Sequence, residues 1–272
     1  MELNGYKVHL SNPCANKPYS GLKHCDDKTD SLWLAKLLRL NILKEGYIYP
    51  SSERGLRDLL RRRMMFVQQR TAQILSFKNM ITRQLGIIKS SNEIKRLTSK
   101  DVSELFNDDH LQFMANRNVE MIKFMSEQIR KIEKQVKSEG KLKKEFELLN
   151  TIKGVGLTLS LTIMYETGNI GRFPTVGKFA SYSRCVPAKR ISNEKSKGQG
   201  NRKNGNKYLN WSFMEAANFT RRYCIDAQKY FQKKASKTNK MVATKALANK
   251  LARASYYIMR DQVEYDPKKL FG

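Results

Sequence analysis

Two carboxylates at the start of a helical pattern are the first candidates for chemistry in this chain. Asp27 and Asp30 are three residues apart, so on a helix they face the same side. Two carboxylates on one face can bind a hard divalent cation such as Mg²⁺ through oxygen ligands. Acids at a helix start also cap the helix and complement its dipole. On the pattern alone capping is the stronger interpretation, because capping acids are common. A two-metal phosphate site also needs more carboxylates, and no other acidic cluster lies upstream.

A glycine turn between two apolar segments is the second candidate. Gly154 and Gly156 flank Val155, and glycines at such a turn let backbone amides approach a phosphate at a helix N-terminus. Helix-hairpin-helix DNA-binding proteins use this arrangement. A tight corner between two packed helices has the same pattern and is equally probable without further context.

A basic segment over residues 189–207 is the third candidate. Its glycines predict a mobile loop, and Tyr208 and Trp211 follow it directly. Such a loop is suited to clamping phosphates, although charge runs are more often simply solvated. Ser192 and Ser196 lie within it as candidate nucleophiles, since nearby positive charge favours an alkoxide. No histidine lies near them in the sequence, and a loop serine is more often inert. The segment has one acid, Glu194, and seven basic residues: Lys189, Arg190, Lys195, Lys197, Arg202, Lys203 and Lys207.

The composition points to a polyanionic partner. The chain has 52 Lys and Arg against 25 Asp and Glu, a formal net charge of +27, while 40% of its 272 residues are hydrophobic. That charge would destabilise a compact fold through self-repulsion unless a polyanion neutralised it. There is no apolar run long enough to span a membrane. The four cysteines form no CxxC pair, which argues against a zinc site or a disulfide framework and favours the reducing cytoplasm. Nucleic acid is therefore the expected partner.

Helices are the main elements expected to position these groups. Alternating residues over 5–12 predict a short strand, and a helix is expected over about 28–43. Heptad spacing predicts a helix over about 53–89 and a second one over about 122–136, which either form an antiparallel hairpin or pair with another subunit. The first seam comprises Leu60, Met64, Val67, Thr71, Ile74, Lys78, Ile81, Leu85 and Ile88. The second comprises Ile122, Met125, Ile129, Ile132 and Val136.

The C-terminal half is expected to be a separate helical domain. A joint is expected near Gly140, followed by helices on either side of the glycine turn and an irregular region from Gly168 to about Asn206. Helical periodicity then returns over 209–227 and again over 247–258, and the last six residues look like a tail. The predicted fold class is thus mainly α, with one fragment of α/β structure at the front.

Several motifs in order resemble the DEDD-type transposases of bacterial insertion sequences, the family founded on insertion sequence 110. In the first part these are Gly5-Tyr-Lys-Val-His-Leu-Ser-Asn-Pro, Tyr19-Ser-Gly-Leu-Lys, Asp26-Asp-Lys-Thr-Asp-Ser-Leu-Trp-Leu-Ala and Glu45-Gly-Tyr-Ile-Tyr-Pro. In the second part they are Ile152-Lys-Gly-Val-Gly, Gly171-Arg-Phe-Pro, Cys185-Val-Pro, Ile191-Ser-Asn and Asn201-Arg-Lys-Asn-Gly-Asn-Lys-Tyr-Leu. The resemblance covers nearly the whole chain.

The resemblance implies a specific chemistry. In that family an RNase H-like domain binds Mg²⁺ through four acids, a coiled coil mediates subunit contacts, and a serine of the C-terminal domain becomes covalently linked to DNA. Members work as oligomers, and some use a guide RNA encoded by the element. Asp27 and Asp30 match the last two acids, and Ser192 matches the nucleophile. The family usually has a glycine soon after this serine, whereas Asn193-Glu194 follows here, so Ser196 stays an alternative.

The resemblance also implies a domain order. Residues 1–52 would be the C-terminal remnant of the RNase H-like domain, 53–144 the coiled-coil region, 145–266 the serine-bearing transposase domain with a helix-hairpin-helix-like turn, and 267–272 a tail. The family's first two acids lie upstream of the strand that starts near Gly5, so we expect an N-terminally truncated copy, a fragment, or part of a split reading frame.

The expected function is DNA transposition by a homo-oligomeric, cytoplasmic, nucleoid-associated recombinase that uses Ser192 and Mg²⁺. Its DNA contacts would come from the glycine turn and the basic segment. As a truncated copy it would bind DNA but be inactive alone. The alternatives are a non-catalytic nucleic-acid-binding remnant that inhibits intact transposase, and a basic coiled-coil scaffold that binds RNA.

Overall fold

The computed structural model describes residues 5–13, 15–16, 26–140, 143–187, 189–199 and 203–272. The chain divides into two compact units, Met1–Ser52 and Glu53–Gly272. The described residues form twelve α-helices and one two-stranded sheet, so the expectation of a mainly helical fold is confirmed. The helices are α1 (Asp27–Arg39), α2 (Ser51–Leu85), α3 (Ser91–Arg96), α4 (Ser99–Leu105), α5 (Asp109–Gly140), α6 (Lys144–Asn150), α7 (Leu157–Thr167), α8 (Val176–Tyr182), α9 (Lys207–Tyr223), α10 (Ile225–Lys237), α11 (Lys240–Asp261) and α12 (Pro267–Phe271).

The first unit contains α1 and an extended segment held by a buried amide. Ser11 and Glu45 form an isolated antiparallel bridge. Asn16 is buried beneath it and ties the segments together: its Nδ2 donates to Ser11 Oγ at 3.0 Å and its Oδ1 accepts from the backbone N–H of Lys44 at 2.9 Å. The strand expected over residues 5–12 is wrong for the described residues, because only Ser11 pairs in a ladder. The described residues of this unit therefore form no β-sheet, and the expected fragment of α/β structure is not observed among them.

Helices α2 and α5 form the antiparallel hairpin that was one of the two arrangements expected from the heptads. Arg63 Nη2 lies 2.6 Å from Glu133 Oε1, and one heptad further along α2, Arg70 Nη1 donates to Ser126 Oγ at 3.1 Å. The residue numbers rise on one helix as they fall on the other, which defines antiparallel packing. Helix α2 ends at Leu85 because Gly86 takes a left-handed conformation, with φ of 68°.

Short helices α3 and α4 connect the two long ones and fill the end of the hairpin. Each begins with a capping box, Ser90 with Glu93 and Thr98 with Asp101, which satisfies two of the free backbone N–H groups at its start. One apolar cluster joins all four helices: Ile74, Phe77, Met80, Ile81, Ile94, Leu97, Val102, Phe106, Ala115, Val119 and Ile122. The tip is thus a packed core of its own.

Helices α6 to α12 of the second unit, here called the C-terminal bundle, pack with α11 at their centre. Helix α11 packs against α8, α9 and α10, and α9 also packs against α7. Fully buried Phe179, Phe213 and Leu247 lie in its core. The region expected to be irregular instead holds a short 3₁₀ helix over Ile170–Arg172, α8, and two strands, β1 (Lys189–Ser192) and β2 (Lys195–Gln199). That expectation was wrong.

The end of the chain is also ordered. The residues expected as a tail include α12, which packs against α10, and the rings of Tyr230 and Phe271 have centroids 5.6 Å apart. No helix among the described residues has the length and apolar content needed to cross a bilayer.

Candidate functional site

The aspartates lie where the sequence places them, in the first turn of α1. Asp26 is the N-cap: its Oδ1 accepts from Thr29 N at 2.7 Å and from Thr29 Oγ1 at 2.6 Å. These hydrogen bonds hold the pKa of Asp26 below its usual value. Asp27 and Asp30 are exposed. The described residues contain no group of three or more His, Cys, Asp or Glu side chains suited to a metal. Two carboxylates on an exposed turn do not by themselves fit a catalytic Mg²⁺, which needs more protein or phosphate oxygens.

The glycine turn has a structural requirement at one of its two glycines. Gly154 has φ of 91°, and a Cβ there would lie 2.7 Å from the backbone N of Thr220 and 2.8 Å from the carbonyl carbon of Phe219. Only glycine permits this approach of the turn to α9. Gly156 differs, since it is the N-cap of α7 and its missing Cβ faces open space. Gly154 therefore sets the packing of the turn, while Gly156 leaves the start of α7 accessible.

The candidate serines lie on a β-hairpin, not on a mobile loop. Strands β1 and β2 are antiparallel, with Ser192 paired to Lys195 and Ile191 paired to Ser196. Ser192 is thus the last residue before the turn, whereas Ser196 is one step further from it. The two serines occupy different positions in the register, which makes them distinguishable by substitution.

The hairpin turn is made of two residues in a strained conformation. Asn193 and Glu194 have φ of 50° and 59°. Positive φ at both central residues is typical of a type I′ turn, whose twist matches the flanking strands. Asn tolerates this region, but Glu does so at a cost. Ser192 therefore adjoins a turn whose second residue, Glu194, is not suited to a left-handed conformation.

The basic residues of the hairpin segment fall into three groups. Lys195, Lys197, Lys203 and Lys207 are exposed to solvent. Lys189 and Arg190 belong to β1. Arg202 lies outside the described residues. Lys207 also lies beside Tyr208, with its Nζ 5.1 Å from the ring centroid.

Arg184, a residue that sequence reasoning missed, holds the segment that follows the β-hairpin. Residues 203–206 of this segment are called the C-terminal root of the hairpin. The guanidinium of Arg184 donates to the carbonyl of Gly205 at 3.0 Å and to the carbonyl of Lys203. Lys245 of α11 in turn donates to the carbonyl of Arg184 and to Asn210 Oδ1 at 2.5 Å. Burial lowers the pKa of Lys245. Arg184 thus links the basic segment to the central helix of the bundle.

A groove of about 1210 Å³ runs along α11 from Val242 to Asp261 and reaches Cys185. Burial raises the pKa of the Cys185 thiol to about 12, so this cysteine is a poor nucleophile at neutral pH. Cationic side chains such as Arg253 line part of the groove, and acidic ones such as Asp266 line another part. The groove therefore has no uniform charge.

A buried carboxylate, Glu166, links the C-terminal root of the β-hairpin to helix α2. Glu166 of α7 is buried and accepts hydrogen bonds from Arg61 of α2 and from Asn206, the N-cap of α9. Arg61 also lies over the ring of Tyr208, 4.6 Å from its centroid. No sequence signal connects residue 61 with residue 166. A single acid within an apolar helix was the only available hint.

Comparison with known proteins gives one family. Residues 146–232 match the family model described as Transposase IS116/IS110/IS902 family. The matched segment runs from α6 into α10 and includes the glycine turn and the whole hairpin. No curated protein matches the chain.

Proposed function

Because residues 146–232 match a transposase domain of the IS116/IS110/IS902 family, we propose that this chain binds DNA and acts in strand cleavage and transfer during transposition of an insertion sequence. The family match supports a transposase as the class of protein. The net charge of +27 supports a polyanionic partner.

The observation that carries the mechanistic part of the proposal is the basic hairpin within the matched domain. Ser192 adjoins its turn and pairs with Lys195, which is exposed. In the proposed step the Oγ of Ser192 forms a bond to the scissile phosphorus as the P–O bond to the leaving DNA strand breaks. The serine proton is lost to solvent or a base, and the leaving oxygen takes up a proton. Cationic neighbours favour the phosphate and the developing negative charge.

The DNA-binding surface in this proposal combines the hairpin with the glycine turn. Phosphate contacts would come from basic side chains and from the free amides at the start of α7, where Gly156 leaves space. Gly154 would act indirectly, by holding the turn against α9. The basic residues proposed are Lys189, Arg190, Lys195, Lys197, Arg202, Lys203 and Lys207.

Asp27 and Asp30 enter the proposal only as members of a larger set of carboxylates. Their position on an exposed turn leaves them accessible to further ligands. Mg²⁺ is the ion that the family resemblance implies for that set. A guide RNA is a second possible polyanionic partner.

A homo-oligomer is the proposed assembly, formed through the α2/α5 hairpin. Its inner seam is used within the chain, but α5 also has large apolar side chains on its outer face. Met114, Met121 and Phe124 are each 44–54% exposed and recur at spacings of seven and three. Such an exposed stripe on a coiled coil supports pairing with a second copy.

Salt-dependent DNA binding by the full chain is the first test. We expect the logarithm of the affinity for random duplex DNA to fall steeply with the logarithm of salt concentration, because each neutralised phosphate releases counterions. Replacing Lys195 and Lys197 together by Gln should lower the salt slope by roughly 2, at about 0.9 per phosphate contact. The matched control replaces Lys131 and Lys134 of α5. A flat salt dependence, or equal loss in the control, would refute the DNA-binding surface.

A further inference from the structure

Glu166 is a buried carboxylate within an apolar helix. Every residue of α7 from Leu159 to Thr167 is buried, and Glu166 is 2% exposed. Taking a carboxylate out of water is costly unless charged and hydrogen-bonding partners offset the loss. An apolar side chain would fill this place at lower cost. A role beyond packing is therefore expected for the charge at residue 166.

Both oxygens of Glu166 are used, and their partners come from distant parts of the chain. Arg61 Nε donates to Oε1 at 2.5 Å and Arg61 Nη2 donates to Oε2 at 2.8 Å, which is a bidentate pair. Asn206 Nδ2 donates to Oε2 at 2.7 Å. The hydrogen bonds to Glu166 also raise the pKa of Arg61. One carboxylate thus joins the coiled-coil helix α2 to the start of α9.

Asn206 is the junction between this carboxylate and the hairpin. Its Oδ1 accepts from the backbone N–H groups of Tyr208 and Leu209 at 2.8 and 3.1 Å, which caps α9. Its own N–H donates to the carbonyl of Tyr182 at 2.6 Å. A Cβ on the preceding Gly205 would lie 2.4 Å from that same carbonyl oxygen, so only glycine permits this close approach of the two backbones. The chain leaving the hairpin is therefore fixed at residue 206.

The segment that leads into the β-hairpin at Cys185, its N-terminal root, is held by other groups. Cys185 N–H donates to the carbonyl of Ala180 at 2.9 Å, and Asn249 Nδ2 donates to the carbonyl of Cys185 at 3.2 Å. These partners belong to α8 and α11. The link to α2 consequently passes through the C-terminal root and through Glu166.

We infer that Glu166 is a positioning residue: it couples the coiled-coil helix α2, through Arg61, to Asn206 and so to the root of the hairpin that carries Ser192. Its relevance to catalysis rests on the proposed function, but the coupling itself does not. A shift of α2, such as pairing with a second copy would impose, would reach the hairpin through this carboxylate.

Exchanging the two hydrogen-bonding groups tests the coupling in the full chain. Glu166→Gln removes the charge and weakens the Arg61 pair. Asn206→Asp keeps the oxygen that caps α9 but turns the donor facing Glu166 into an acceptor. The double variant restores a donor–acceptor pair, because the amide introduced on α7 can donate to the carboxylate introduced at the start of α9. Glu133→Gln is the matched control, because it likewise removes a charge paired with an arginine of α2, Arg63, but lies away from the β-hairpin.

Tryptic cleavage after Lys203, followed by mass spectrometry, reports local opening of the root without requiring DNA chemistry. We expect each single variant to speed this cleavage by roughly tenfold, the control to match the wild type, and the double variant to return to within about threefold of it. Equal acceleration in Glu133→Gln, or no recovery in the double variant, would overturn the inference.

A second readout separates the inference from the proposed function. Where the wild type forms a covalent adduct with DNA, Glu166→Gln should form it more slowly at saturating DNA, with the dissociation constant unchanged. Absence of any adduct in the wild type would count against the serine mechanism alone, since the proteolysis result decides the coupling independently.

Discussion

The hairpin turn offers a test in which backbone strain and charge can be separated. Glu194 has φ of 59°, a conformation that costs an ordinary L-residue about 1–2 kcal/mol. Glycine removes that strain but loses about 0.5–1 kcal/mol more chain entropy on ordering. Glu194→Gly should therefore stabilise the closed hairpin by about 0.5–1 kcal/mol, which corresponds to a two- to fivefold change in its population.

Hydrogen exchange at the paired amides of Ile191 to Ser196 measures this population. We expect exchange to slow two- to fivefold in Glu194→Gly, by less in Glu194→Asn because asparagine tolerates positive φ, and not at all in Glu194→Gln. All three variants remove the acid from a segment with seven basic residues. They should therefore raise the affinity for DNA to a similar extent. Equal protection in Glu194→Gln and Glu194→Gly would show that charge, not backbone strain, limits the hairpin, and would refute the reasoning.

Four further variants and one labelling reaction test the packing of the C-terminal bundle and of the α2/α5 hairpin. Gly154→Ala should destabilise the C-terminal bundle by about 2 kcal/mol or more, because the added Cβ meets α9 and φ at this residue is positive. Its control, Gly177→Ala within α8, should be neutral or slightly stabilising. Chemical denaturation measures the free energy of unfolding of both variants. Phe77→Ala should cost about 3–5 kcal/mol of stability, while Phe124→Ala should cost little and instead weaken self-association in sedimentation experiments. Iodoacetamide should label Cys185 roughly 1000-fold more slowly at pH 8 than an ordinary thiol, because only the thiolate reacts. The rate of labelling should increase as the pH rises toward 12. Labelling of the folded protein at an ordinary rate would contradict the burial of Cys185.

The helices were largely predictable, because their apolar spacing follows from the core they must cover. The sequence predicts a helix over about 53–89, and α2 spans Ser51–Leu85. The second seam was also correct, since four of its five residues are buried and Ile132 is half-buried. The first seam was less accurate toward its end. Its Ile81 is buried, but so are Phe77 and Met80, which were not placed on it, while Ile88 lies beyond α2 and is 84% exposed. A straight helix drifts relative to a strict heptad, so a long seam moves to neighbouring positions.

The strands and the long-range links were not predictable from the sequence. Strands β1 and β2 contain mostly basic and small residues with no alternating apolar pattern, and their turn lacks the usual Asn-Gly pair. The reverse error occurred at residues 5–12. Their apolar and polar residues alternate, but the described residues show no partner strand for them. Glu166 and Arg61 are 105 residues apart, and only the packing of α2 against the C-terminal bundle brings them together.

The adduct between protein and DNA tests the central proposal most directly. The full chain would be incubated with a polypeptide that supplies the remaining carboxylates of the set, with Mg²⁺ and with duplex DNA carrying the ends of its insertion sequence. The products would be digested and searched for a nucleotide-linked peptide by mass spectrometry. The proposal predicts a phosphodiester on Ser192, its absence in Ser192→Ala, and its persistence in Ser196→Ala. An adduct on Ser196, or one that survives in Ser192→Ala, would contradict the assignment of the nucleophile.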